Sequence, residues 1–162
     1  MELLSMQIRA LVEDDYDQLV ELYKLLDDLH VHALPDHFIH REKEQVYPLD
    51  AFIHNLNYPG CVEFGAFEGS RLVGFASATL WENSGMVKGL KWVCLDNIFV
   101  LPAYRRRGIA AKLFAEVESW AREHSAARLE LHTWDFNKNA IAMYEAMEMT
   151  PQRYVLEKKL QP

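Results

Sequence analysis

The sequence predicts a mixed α/β sandwich, with helices on both faces of one sheet that is antiparallel in its first half and joined by crossover helices later. Three observations carry this. Runs with strand-like alternation or continuous apolar character trade places along the chain with runs whose apolar residues recur at helical spacing. Two early strand runs are separated only by Glu68-Gly69-Ser70-Arg71, a turn short enough for an antiparallel hairpin. The later strands are each separated by a helix, which makes crossovers.

Taken in order, the elements read β-α-α-β-β-β-α-β-α-β. Met6 to Val12 forms a first strand. The acidic turn Glu13-Asp14-Asp15 then caps a helix carrying Leu19, Leu22, Tyr23, Leu26 and Leu29 at helical spacing. A second helix falls between Arg41 and Leu56. Cys61 to Phe67 and Leu72 to Trp81 make the hairpin, and Asn83 to Gly89 is a surface loop. Lys91 to Val100 reads as a buried strand, its apolar run broken only by Asp96 and Asn97. Ile109, Leu113, Val117 and Trp120 mark one face of a strong helix. Ala127 to Trp134 alternates as a strand, Lys138 to Met147 is a short helix, and Arg153 to Leu160 closes as a strand. No repeat, low-complexity tract or linker divides residues 1–162, so a single domain is expected.

Composition excludes several classes. Seventeen basic against twenty-four acidic residues give a net charge of -7, which argues against nucleic acid as a partner. No stretch approaches a membrane span and no leader is evident, so a soluble, cytoplasmic protein is expected. Cys61 and Cys94 lack the spacing of a zinc site and suit a reducing compartment.

The most informative segment is Pro102-Ala-Tyr-Arg105-Arg106-Arg107-Gly108-Ile109-Ala110, running from a strand into a helix start. A helix N-terminus carries about half a positive charge, so arginines there are unfavourable by about 0.3–1 kcal/mol each unless an anion is bound. Gly108 lets backbone close on a ligand, and the free N–H groups of the next turn suit phosphate oxygens. The competing reading pairs the arginines with carboxylates and leaves Gly108 to ease a turn. Neither a Walker loop nor a dinucleotide fingerprint is present.

The pattern Arg105-x-x-Gly108-x-Ala110 resembles the cofactor signature of the GNAT superfamily of N-acetyltransferases. The resemblance implies a GNAT-like fold over nearly the whole chain, with acetyl-CoA as cosubstrate. It also implies that Arg105 and the amides of Arg106, Arg107, Gly108, Ile109 and Ala110 hold the coenzyme's pyrophosphate. Ile98, Phe99 and Val100 would lie along the pantetheine arm, where the Val100 N–H could polarise the thioester carbonyl. A second segment, Asn137-Lys-Asn-Ala140-Ile-Ala-Met-Tyr144, resembles the family's Asn-x-x-Ala-x-x-x-Tyr. It casts Tyr144 as the acid for the departing thiolate, against a plain core role, and Asn137 as a coenzyme ligand, against a plain N-cap. Glu148-Met149 stands where the family commonly has Gly-Phe.

An ammonium must lose a proton before it attacks, and Asp96, interrupting an apolar strand, is the candidate base. Spermidine/spermine-type acetyltransferases, which Leu95-Asp96-Asn97-Ile98-Phe99-Val100 resembles, carry Glu there, so the shorter Asp could act through water. Four of the seven histidines lie between Leu29 and His40. His30 and His32, with Tyr47 and Trp81, are expected to shape the acceptor site, and no metal is expected. The implied function is acetyl transfer to a primary amine, small-molecule or peptide, by direct attack in a ternary complex. A non-catalytic acyl-CoA sensor is the competing function, and a homodimer is a family-based expectation. The identity of the amine stays open.

Overall fold

The computed structural model describes residues 5–83 and 90–160, so most of the expected Asn83 to Gly89 loop lies outside the described residues. The chain forms two compact units, one ending at His132 and one beginning at Thr133.

The first unit holds strand β1 (Met6–Ala10), helices α1 (Tyr16–Ala33), α2 (Lys43–Val46) and α3 (Leu49–Asn57), strands β2 (Cys61–Glu68), β3 (Arg71–Glu82) and β4 (Lys91–Val100), helix α4 (Ile109–Glu123), and strand β5 (Arg128–Leu131). The sheet runs in sequence order from β1 to β5. The first three pairings are antiparallel and β4 with β5 is parallel, the crossover through α4 supplying the reversal.

The expected single helix between Arg41 and Leu56 is instead a pair. Pro48 separates them, since it has no N–H to extend the first and a preset φ that starts the second. The acidic turn is a short 3-10 segment, Glu13–Asp15. Asp15 accepts the Val12 N–H at 2.8 Å and both terminal nitrogens of Arg9 at 2.7 and 2.8 Å, tying the end of β1 to the start of α1.

Each sheet face is covered. On one, Phe75 and Phe99 pack with Leu19 and Leu22 of α1 and Phe52 of α3. On the other lies α4, its Leu113 and Val117 fully buried. A Cβ on Gly74 would stand 3.5 Å from Leu113 and only 2.9 Å from the Phe99 carbonyl oxygen, so this glycine admits the close approach.

The second unit contains helix α5 (Lys138–Ala146). The expected closing strand, Arg153 to Leu160, does not form: residues 151–160 take no regular structure, and Tyr154, Val155, Leu156 and Leu160 are more than four-fifths exposed. Alternation alone does not make a strand, because extended backbone needs a ladder partner to satisfy its amides. Among the described residues no helix is long and apolar enough to cross a membrane.

Candidate active site

The site begins with an irregularity in β4. Ser77 of β3 faces Asn97 and the next residue, Ala78, faces Leu95, so Asp96 is the extra residue of a β-bulge. The bulge turns Asp96 toward the face that carries Thr79, whose hydroxyl donates to Asp96 Oδ2 at 2.6 Å. Asn97 Nδ2 donates to Ser77 Oγ at 3.0 Å. The two polar residues that break the apolar run thus have a structural reason. The expected buried carboxylate is, however, exposed at the rim, because a bulged residue leaves the ladder and swings outward. Its carboxyl is still raised above the usual range, desolvation outweighing the hydrogen bonds from Thr79 and Cys94.

β4 also has an open edge. Its register with β5 covers only Trp92–Leu95 against Arg128–Leu131. From Asp96 to Val100 it keeps β3 on one side and has no strand on the other among the described residues. Ile98 is half-buried there, and Phe99 and Val100 are buried. An extended ligand with amide groups could pair with this edge as a strand would.

Beyond this edge comes the arginine loop. Gly108 caps α4 in the left-handed region at φ 75°, and no side chain caps the helix. A Cβ there would meet nothing within 4 Å, so the backbone conformation, not crowding, calls for glycine. Arg106 also takes a left-handed conformation, at φ 64°. Arg105 Nε donates to the Val100 carbonyl at 2.9 Å and its guanidinium lies over the Phe99 ring. Arg107 sits 3.5 Å from Glu68 and beside the Tyr104 ring. Carboxylate pairing therefore accounts for one of the three arginines among the described residues. Ile109 is buried and Ala110 half-buried at the start of the uncapped helix, whose first N–H groups have no intrahelical acceptor. Free amides, an open approach and the helix dipole suit a diphosphate.

A cavity of about 220 Å³ opens between β2, β3 and β4, reaching Tyr23, Tyr47, Asn55, Glu63, Ser77, Thr79, Asp96 and Asn97. Tyr47 lines it. His30, His32 and Trp81 do not: the His30 ring meets the Leu26 carbonyl and packs beside Phe38, His32 is exposed, and Trp81 stacks on Trp92. Among the described residues no three His, Cys, Asp or Glu side chains gather as a metal-binding group.

The residue that sequence reading missed is Glu63. It is 4% exposed on β2 and accepts the Tyr47 hydroxyl, while Asn55 Nδ2 donates to that same hydroxyl at 3.0 Å. Burial pushes its carboxyl up to about 7, against the opposing pull of Tyr47 and Asn55. The signal was available: Glu63 breaks the apolar run Cys61-Val-Glu-Phe-Gly-Ala-Phe67 just as Asp96 breaks its own.

In the second unit, Asn137 stands at the N-cap of α5 without a side-chain cap bond, which removes the plain capping reading. Tyr144 is half-buried, and burial raises its phenol to about 12. The helix ends with the Glu148 N–H on the Glu145 carbonyl at 3.0 Å and the Met149 N–H on the Tyr144 carbonyl at 3.1 Å. This places Glu148 at the left-handed position of a Schellman motif, φ 64°.

Residues 17–149 match the model of the acetyltransferase (GNAT) family. The chain belongs to that family. GNAT relatives by sequence include a thialysine N-epsilon-acetyltransferase of Caenorhabditis elegans, 33% identical over 58 residues, 36% of this chain and 36% of the relative. An aminoglycoside N(6')-acetyltransferase type 1 of Acinetobacter baumannii is 40% identical over 53 residues, 33% of this chain and 36% of the relative. These matches span about a third of each relative's length. Among solved structures, a tetramutant of the BH1408 protein of Bacillus halodurans superposes with a TM-score of 0.87 at 21% identity, covering 95% of this chain and 99% of that one. The aminoglycoside N-acetyltransferase AAC(6')-Iy in complex with CoA gives 0.74 at 21% identity, covering 98% and 96%. The GNAT fold expected from the two motifs is therefore the fold observed, without its last strand and with one more helix.

Proposed function

We propose that this GNAT chain transfers the acetyl group of acetyl-CoA to a primary amine of a small cationic molecule, by direct attack in a ternary complex. The observation that carries the reading is the conjunction along β4: a bulged Asp96 facing a polar cavity, an open strand edge beside it, and an uncapped helix N-terminus beyond. The amides from Arg106 to Ala110 would hold the diphosphate, with Arg105 fixing the strand end through Val100, and the edge at Ile98, Phe99 and Val100 would take the amide-bearing arm. Bound acetyl-CoA supplies an activated thioester whose carbonyl carbon is the electrophile.

The residues divide the remaining work. Asp96 accepts the proton that the acceptor's ammonium must lose, directly or through one water, and its raised pKa makes it a better base than an ordinary aspartate. The Val100 N–H is the donor for the thioester oxygen. Tyr144 is assigned the leaving thiolate on the strength of its motif. A thiol has a pKa of about 8.5, so a phenol at about 12 serves first as a hydrogen-bond donor, and outright protonation would run uphill. No covalent enzyme intermediate is needed. The small cavity with two carboxylates, the net charge of -7 and relatives named for thialysine and aminoglycosides all support a cationic acceptor.

The test is thiol release from acetyl-CoA against a panel of amines, alongside thermal melting. Acetyl-CoA at about a hundred times its Kd should add about 2.7 kcal/mol of stability. Release above background with cationic amines is expected. No melting shift, or release that ignores the amine, would sink the reading, and a Tyr144→Phe variant as fast as wild type would remove Tyr144 from it.

A further inference from the structure

We propose that Glu63 is a specificity residue: its unpartnered oxygen, facing the same cavity as Asp96, anchors a second cationic nitrogen of the acceptor. The inference deepens the proposed transferase reading by naming an acceptor class, small flexible diamines.

Glu63 sits in the middle of a strand flanked by β3 and packed against by α3, where a carboxylate is costly unless its oxygens are satisfied. Oε1 is satisfied by the Tyr47 hydroxyl, itself supported by Asn55. Both hydrogen bonds run toward the carboxylate, which suits the anion. Oε2 is buried and has no hydrogen-bond partner among the described residues. The side chain lines the cavity, so a donor can reach that oxygen from the cavity side.

The chemistry of that donor follows from the surroundings. The titratable groups facing Glu63 are Tyr23 from α1, Tyr47, Cys61 from its own strand, and Asp96 from β4. Tyr23, Tyr47 and Cys61 are all held above their ordinary pKa values by burial, so they stay neutral, and no cation is among the four. An ammonium would neutralise the carboxylate and fill its empty hydrogen-bonding position together.

Position separates this role from that of the base. Glu63 pairs with Ser77 and Ser77 with Asn97, so β2 is two strand spacings, roughly 10 Å, from β4. Asp96 leans onto Thr79 of β3, so its carboxylate lies within that backbone spacing of Glu63, and a short chain can join a nitrogen at each. At about 220 Å³ the cavity is below the roughly 300 Å³ at which drug-sized pockets begin. It admits an aminoalkyl arm. Since the empty site holds Glu63 at about 7, an ammonium arriving at neutral pH should also expel a proton.

The test is calorimetric binding to the full chain with coenzyme A present, using 1,5-diaminopentane and 1-aminopentane, for wild type, Glu63→Gln and Glu63→Met. Melting curves confirm that each variant is folded. At pH 8 the wild type is expected to bind the diamine at least tenfold more tightly than the monoamine, and both variants to bring that ratio below twofold. At pH 7 the wild-type heat should differ between phosphate and Tris buffers by the ionisation heat of the released proton. Equal affinity for the two amines, no binding of either, or a preference that survives in the variants overturns the anchor. The transferase reading fails separately: a diamine that binds in this way but is never acetylated sinks the reaction and leaves the anchor standing, whereas acetylation without the preference sinks only the anchor.

Discussion

Two carboxylates face one cavity, and their environments set them apart. Asp96 opens to the rim with Thr79 donating to it, while Glu63 is shut in with one oxygen unsatisfied. If Asp96 is the base, Asp96→Asn should lower kcat/KM by about 10²–10⁴-fold, and the acid limb of the pH–rate profile should vanish with it. A variant that keeps that limb would move the base elsewhere. Glu63 makes a prediction about stability. Its carboxyl titrates near 4.5 in an open chain and at about 7 in the fold, so the folded state binds the proton more tightly. The stability this confers is complete below pH 4.5 and is lost as pH rises through about 7. Glu63→Gln, which copies the protonated acid, should match wild type at low pH and exceed it by up to about 3 kcal/mol above pH 7. Urea unfolding from pH 4 to 9 measures the gap, and a gap that fails to widen would show that the carboxylate is already compensated in the fold. A variant that is more stable yet binds the diamine less well is the pattern expected of a group kept for binding.

Among the elements, the helix ends show how much of the structure was legible. The arginine loop was readable because its charges oppose the dipole of the helix they precede, and the structure adds why Gly108 is needed: the chain turns there at φ 75°. The end of α5 was readable only as a departure from the family's Gly-Phe, and the structure gives the departure a cost. Glu148 occupies the left-handed position that closes the Schellman motif, with a Cβ that disfavours it. Glu148→Gly should therefore stabilise the chain by about 1 kcal/mol, read as a rise in thermal midpoint. No gain would mean that the Glu148 side chain repays the strain through contacts of its own. The helix pair before β2 was not resolved by periodicity, although Pro48 marked the break. The bulge at Asp96 was not legible either, because one extra residue in a strand has no local signature and becomes visible only when Ser77 and Ala78 face Asn97 and Leu95.

At the scale of the whole chain, the sequence separated well what is decided locally and poorly what needs a partner. Each of the five strands that formed pairs with the strand next in sequence, β1 reaching β2 across three helices, and each was placed to within three residues at its ends. Arg153 to Leu160 has the same alternation as those strands, but alternation states only which side chains would share a face. Whether a strand forms depends on a ladder that takes up its amides, and residues 151–160 take no regular structure. Hydrogen exchange should report this directly. Amides of β2 and β3, and those of β4 that bond to β3, lie inside the antiparallel sheet and should exchange only through global unfolding. Those of Tyr154, Val155, Leu156 and Leu160 should exchange at near open-chain rates in dilute solution. With Tyr154, Val155, Leu156 and Leu160 so exposed, protection there that grew with protein concentration would mean that a second chain supplies the missing edge. Protection independent of concentration would contradict the absence of regular structure there.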